Sequence, residues 1–118
     1  LPLAREKDLG IIVKRPAADG VLSGGQHNNP YYGLYLDRAQ RMGSLRELAD
    51  APDNLFELAL GFVFQHDLFD TAIVGTASPS HMRDNLEWFG RRPSFSGSLL
   101  EELYRRFDVI GGDGQQLI

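Results

Sequence analysis

Between Thr71 and Phe89 the chain reads TAIVGTASPSHMRDNLEWF: a short apolar run, a glycine, a Ser-Pro step and then a helix-forming stretch. The run TAIVG shows no polar alternation, the pattern of a parallel strand covered on both faces. Ser78 is a good N-cap, and Pro79 suits the first helical position, where its missing N–H would have no partner anyway. The segment therefore reads as a strand that leaves a sheet at its carboxyl end and turns directly into a helix, the place where α/β proteins hold ligands. In that geometry the N–H groups of Ser80 and His81 face outward at the positive end of the helix, where a phosphate can sit. Gly75 lets a ligand come close to the backbone. Helical spacing puts Met82, Leu86 and Phe89 on an apolar stripe and His81, Asn85 and Trp88 on the adjacent one. Two readings stay open on these residues alone: a capped helix start with solvated polar groups, or a cradle for a phosphate and a base.

Working outward, Ile11–Arg15 (IIVKR) is a second compact β-branched run without alternation, hence a second parallel strand. The stretch before it, LPLAREKDLG, reads as the later part of a helix closed by Gly10 as the residue past its end. The segment PAADGVLSGGQHNNP is punctuated by glycines, prolines and asparagines and predicts a loop. A helix is expected over Tyr31–Met42, with Asp37 and Arg41 as a surface pair. SLRELAD predicts a shorter one, with Ser44 as cap and Glu47 completing a capping box. After Pro52, with Asp53 or Asn54 as cap, NLFELALGFVF is apolar nearly all round and must be enclosed. Ser98 and Glu101 suggest a capping box for SLLEELYRRF, whose Leu99, Leu103 and Phe107 form a packing stripe while Arg105 and Arg106 suit its C-terminus. GGDGQQLI at residues 111–118 reads as a loose tail.

The order helix, strand, loop, helices, strand, helix, helix is βαβ logic with a parallel strand pair, an α/β fold. Two short parallel strands leave both edges and their backbone groups unpaired. The expectation is that polypeptide precedes Leu1 in the natural protein, or that the strands pair with another copy or another chain.

Composition narrows the function classes. In 118 residues, 42% hydrophobic, a single globular domain is the starting expectation, and a formal charge of −4 argues against a general nucleic-acid or anionic-membrane binder. There is no cysteine, so disulfides and thiolate metal sites are excluded and a reducing compartment fits. The apolar run LALGFVF is far too short to span a bilayer and no signal peptide opens the chain, so a cytoplasmic location is expected. His27, His66 and His81 have no metal-ligand spacing, and GVLSGGQHNNP lacks the lysine and hydroxyl ending of a phosphate-binding P-loop.

The residues as a set resemble the aldo-keto reductases. TAIVGTASPSHMRDNLEWF is similar to the last barrel strand and following helix of that family, LAREKDLGIIVKRPAADGVLSG to its helix, sixth barrel strand and following loop, and NLFELALGFVFQHD to the helix before the final strand. SLLEELYRRF fits as well, so the resemblance runs over nearly the whole chain. It implies a (β/α)8 barrel of which residues 1–118 form the C-terminal portion, the last two strands and their helices. It implies NADP(H) lying across the carboxyl face and a reaction that reduces aldehydes or ketones. By matching positions, Gly75, Thr76, Ala77 and Ser78 would line the adenosine 2′-phosphate side. His81 would stand near that phosphate and Asn85 would meet the adenine. Asp84 replaces the family's usual glutamate with a shorter reach.

The other strand end departs from the family pattern. Many members have Tyr-Ser-Pro there, whereas this chain has Lys14, Arg15 and Pro16. A guanidinium can stack on a ring and also neutralise pyrophosphate, so Arg15, with Lys14 beside it, is expected to serve partly in both capacities; the alternative is that Lys14 and Arg15 merely project at a barrel rim. Ala17, Gly20 and Leu22 would lie in a loop over the pyrophosphate. The family's catalytic tyrosine, lysine, aspartate and histidine come from the first half of the barrel, and no motif carrying them is present. The chain by itself is expected not to reduce a carbonyl. The alternatives are a noncatalytic nucleotide-binding or self-assembling module that pairs strand edges, and a helical interaction domain without a ligand.

Overall fold

A computed structural model of the chain describes residues 1–23, 28–91 and 93–111. In order the elements are α1 (Pro2–Glu6), β1 (Ile12–Lys14), α2 (Gly33–Arg41), α3 (Leu55–Phe64), β2 (Thr71–Ile73), α4 (Pro79–Arg91) and α5 (Gly97–Ile110), with 3-10 turns at Ala18–Ser23, Pro30–Tyr32 and Leu45–Glu47. The strands pair in parallel, Ile12 opposite Thr71, Val13 opposite Ala72 and Lys14 opposite Ile73. Both strands are shorter than the sequence runs, and the expectation of cover on both faces fails. Val13 and Ala72 are half-buried, while Ile12 and Ile73 on the other face are 62% and 61% exposed. No described residue packs over that second face to bury it.

The apolar core lies away from the sheet. Leu45, Leu58, Leu99 and Leu103 form a buried cluster, with Leu22, Met42, Leu55, Phe62 and Phe95 packed around it. The enclosure expected for α3 is present, since Leu58, Ala59, Leu60, Gly61 and Val63 are all buried. Gly61 is small for a reason: a Cβ there would lie 2.1 Å from Cζ of the Phe95 ring, which presses directly on the helix. Gln65 holds the approach to α5 in place, donating to Pro93 O (3.0 Å) and accepting from Phe95 N (3.2 Å).

Helix ends follow the expected chemistry at some positions and not at others. Asn54 caps α3, its side chain accepting from Phe56 N at 2.9 Å. At α5 the cap is Ser96, whose extended backbone aims Oγ at Leu99 N (3.3 Å), so Ser98 falls inside the helix and the Ser98–Glu101 box does not form. Ser44 makes no side-chain cap bond and its segment is only a 3-10 turn, which drives Leu45 into the core. The N-terminal helix ends at Glu6, not Gly10, because Asp8 takes the left-handed conformation (φ 51°) and its N–H closes on Arg5 O.

Further along α5, Ile110 is buried where Phe107 was expected, and Phe107 faces solvent. The arginines near its end do more than complement a dipole. Arg106 donates to Met42 O (2.9 Å) and Ser44 O (3.1 Å) beyond α2, while Arg41 of α2 donates to Ile110 O, so each of the two helices closes the other. The Asp37–Arg41 pair is present at 3.5 Å. Among the described residues no helix is long and apolar enough to cross a membrane. His27 and the tail from Gly112 onward lie outside the described residues.

Candidate functional site

An open cleft of about 830 Å³ lies at the carboxyl ends of both strands. Parallel strands in register put their ends side by side, so the residues that follow Lys14 and Ile73 share one rim. Lys14, Arg15, Pro16, Ala17, Asp19 and Gly20 line it from β1 and the 3-10 turn that follows. Val74, Gly75, Thr76, His81, Asp84 and Asn85 line it from β2 and α4. Seven of the nine residues singled out in the sequence thus meet there: Lys14, Arg15, Gly75, Thr76, His81, Asp84 and Asn85.

Ala77 and Ser78 do not line the cleft. Ser78 is taken up in building the helix start: its N–H donates to Thr76 Oγ1 (3.1 Å), and its Oγ accepts from His81 N (3.4 Å) and meets Ser80 Oγ (2.8 Å). This corrects the expectation of two outward amides. A Ser at the cap position reaches the third helical amide, so the His81 N–H is turned inward to Ser78. Pro79 has none, which leaves the amide of Ser80. Thr76 accepts from Ser78 but keeps its own O–H to donate. Leu22 packs against the apolar core rather than over the cleft.

The two basic residues at the end of β1 are held differently. Arg15 sits at φ 56°, its Nε 3.1 Å from Asp19, its Nη2 donating to Tyr31 Oη at 3.0 Å and its guanidinium 6.0 Å from the centre of the Tyr31 ring. A hydrogen bond with Tyr35, aided by the fields of Tyr31 and Asp19 and opposed by partial desolvation, holds the guanidinium above its ordinary pKa. Lys14, one residue earlier and exposed, has no ion-pair partner among the described residues. Asp19 is paired with Arg15, which leaves Lys14 and Asp84 as the charged groups lining the cleft outside that pair.

Gly75 leaves room, since a Cβ built there meets nothing within 4 Å and would project into open space. The donor set suits an elongated ligand that combines anionic groups with a planar ring: an ammonium, a guanidinium, a hydroxyl, an imidazole and an amide along one rim. Beyond Asp19, Ile73 and Val74, which flank the chosen residues, the cleft also takes in Tyr32, Asn54 and Phe56, none of them chosen as a site residue from the sequence. Asn54 was legible as a cap, and the start of a helix facing the same rim as two strand ends was the available signal. Tyr32, in the turn after Asn29-Pro30, carried none.

The Aldo/keto reductase family model matches residues 1–95. Pyridoxal 4-dehydrogenase of Microbacterium luteolum is 25% identical over 93 residues, covering 75% of this chain and 27% of that protein. An aldo-keto reductase from Bacillus halodurans, solved in apo form, is similar with a TM-score of 0.64 at 21% identity, over 90% of this chain and 37% of that one. Its holo form gives the same TM-score and identity over 89% and 36%. The chain therefore spans about a quarter of the curated relative's length and just over a third of the solved structures'. The structural likeness assigns the strand pair and its helices to the C-terminal portion of a (β/α)8 barrel.

Proposed function

Because this chain belongs to the aldo/keto reductase family, we propose that residues 1–118 are the C-terminal part of an NADP(H)-dependent reductase of aldehydes or ketones. In this reading they hold the adenosine and 2′-phosphate of the cofactor, and the catalytic groups come from barrel units outside them. The observation that supports it is the convergence of seven residues, chosen on sequence, at one cleft above the carboxyl ends of both strands. Lys14 faces the pyrophosphate, and Arg15, pre-placed by Asp19 and Tyr31, offers a flat cationic face beside it. Thr76 and His81 take the 2′-phosphate, Asn85 the adenine edge, and Gly75 lets the nucleotide approach the strand. Asp84 lies near enough to set a limit on how much negative charge the rim accepts. When bound, the cofactor supplies the hydride. The curated relative acts, by its name, on pyridoxal, an aldehyde, which agrees with a carbonyl substrate for the whole barrel.

Titration with NADPH and NADH, followed by the fluorescence of Trp88, the single tryptophan and a buried residue of α4, tests the assignment. His81→Ala and Thr76→Ala should each weaken NADPH about tenfold or more, the size of one hydrogen bond to a charged group, and NADH far less. Equal weakening of both would overturn the 2′-phosphate assignment. The second reading, a noncatalytic nucleotide-binding module that assembles through its strands, has the exposed Ile12 and Ile73 in its favour. Sedimentation separates the two: a stable dimer that binds NADPH supports assembly, and a monomer removes it.

A further inference from the structure

The end of the sheet opposite the cleft carries a device that nothing above uses. Asp70 precedes β2 and Ile11 precedes β1, and the two residues are bonded both ways. The Ile11 N–H donates to Asp70 Oδ2 at 2.6 Å, while Ile11 O accepts from Asp70 N (3.0 Å) and Thr71 N (3.3 Å). The second carboxylate oxygen of Asp70 lies 3.5 Å from Arg5 Nη1, and Arg5 Nη2 donates to Asp67 O at 2.6 Å, so α1 is drawn into the same knot.

Each strand has only three residues, and a parallel pair of that length has few ladder bonds to fix its register. A slip of two residues keeps every side chain on its face but shifts one strand along the other by about 6.6 Å. Such a slip would carry Lys14 and Arg15 out of line with Gly75 and Thr76, splitting the rim of the cleft. A charge-assisted bond from a side chain to the backbone of the neighbouring strand favours one register only.

We propose that Asp70 is a positioning residue: by clamping Ile11 at the amino end of the sheet, it aligns the β1 and β2 halves of the cleft at the carboxyl end. This rests on the cofactor reading above for its ligand, and on the geometry at the amino end of the sheet for the clamp.

The test uses the 118-residue chain with two probes and amide hydrogen exchange. NADPH needs both halves of the cleft, whereas adenosine 2′,5′-bisphosphate reaches only the β2–α4 half. In Asp70→Ala, NADPH affinity should fall about tenfold, the size of a lost bond to a carboxylate. The bisphosphate should bind as before, and the Val13 and Ala72 amides should exchange faster. Asp70→Asn, whose carboxamide oxygen still accepts from Ile11, should recover most of the NADPH affinity, and it serves if the alanine variant does not fold. Arg5→Ala, which leaves the Ile11 bond, should change NADPH binding less than about threefold, as an exposed ion pair does. Equal loss of both nucleotides would make Asp70 a merely structural residue and overturn the proposal. So would unchanged exchange at Val13 and Ala72. If the wild-type chain binds neither nucleotide, the cofactor reading falls, and the exchange rates alone decide the clamp.

Discussion

The helix-packed side of the molecule and the sheet side are held together by different chemistry. Around α3 and α5, Leu45, Leu58, Leu99 and Leu103 exclude water from a closed cluster, and Phe95 lies against Gly61 with no atom to spare. The six residues of β1 and β2 include none that is fully buried. Their order comes from three ladder pairs, a carboxylate clamp and an ion pair. The cleft sits on this second side. Apolar burial carries most folding stability, so the side that carries the cleft is the one that contributes least to it, and it can open while the core stays closed.

That contrast can be broken most severely at Leu99, 2% exposed. Leu99→Ala should cost about 2–5 kcal/mol in urea unfolding. Nucleotide affinity, measured well below the transition, should stay within about twofold of wild type. A parallel fall in both would mean that the two sides form one cooperative unit.

The two serine caps give a smaller and sharper comparison. Ser96→Ala removes the Leu99 N–H acceptor on the core side and should lower global stability by about 1 kcal/mol. Ser78→Ala removes the His81 N–H acceptor on the cleft side. It should leave the unfolding midpoint nearly in place while speeding amide exchange in the first turn of α4 and weakening nucleotide binding. Similar midpoint shifts for both variants would erase the distinction.

The smallest effect is confined to acid. Hydrogen bonds from Arg105 and then Arg106 hold the Glu102 carboxyl down at about 2, against an ordinary 4.5. Because the folded value is the lower one, this contribution to stability is present above pH 4.5 and lost as pH falls toward 2. Urea midpoints across that window should decline less steeply in Glu102→Gln than in wild type. Arg105 is exposed and Glu102 and Arg106 are only partly buried, so the difference should be modest and should shrink with added salt.

Local pattern carried the sequence reading as far as local forces reach. Both strands, the Asn54 cap and the Ser78-Pro79 helix start were legible because each rests on residues within a turn of one another. Ser96 was missed in favour of Ser98, since either hydroxyl suits a cap on paper. The choice is made by the docking of Phe95 on Gly61 and by Gln65, thirty positions back. Unalternating strands suggested cover on both faces, yet cover is a property of neighbours, and the described residues put helices on one face only. In the candidate site, the strand ends and the first turns of α4 were readable as a junction. Tyr32 and Phe56 reach the same cleft from elements whose local sequence says nothing of a ligand, and the clamp between Asp70 and Ile11 joins positions 59 apart.

Among the described residues, five other than glycine adopt the left-handed backbone conformation, and three of them, Arg15, Ala18 and Asp19, fall within one short bend at the mouth of the cleft. Each stores strain of about 1 kcal/mol or more. The other two, Asp8 and Asp50, do not line it. For anyone engineering a hardier version, the chain thus has two kinds of slack. Glycine at Asp50 relaxes strain away from the cleft. Glycine at Arg15 relaxes the same torsion but deletes a cation that lines the cleft, which in the proposed cofactor reading exchanges grip for durability.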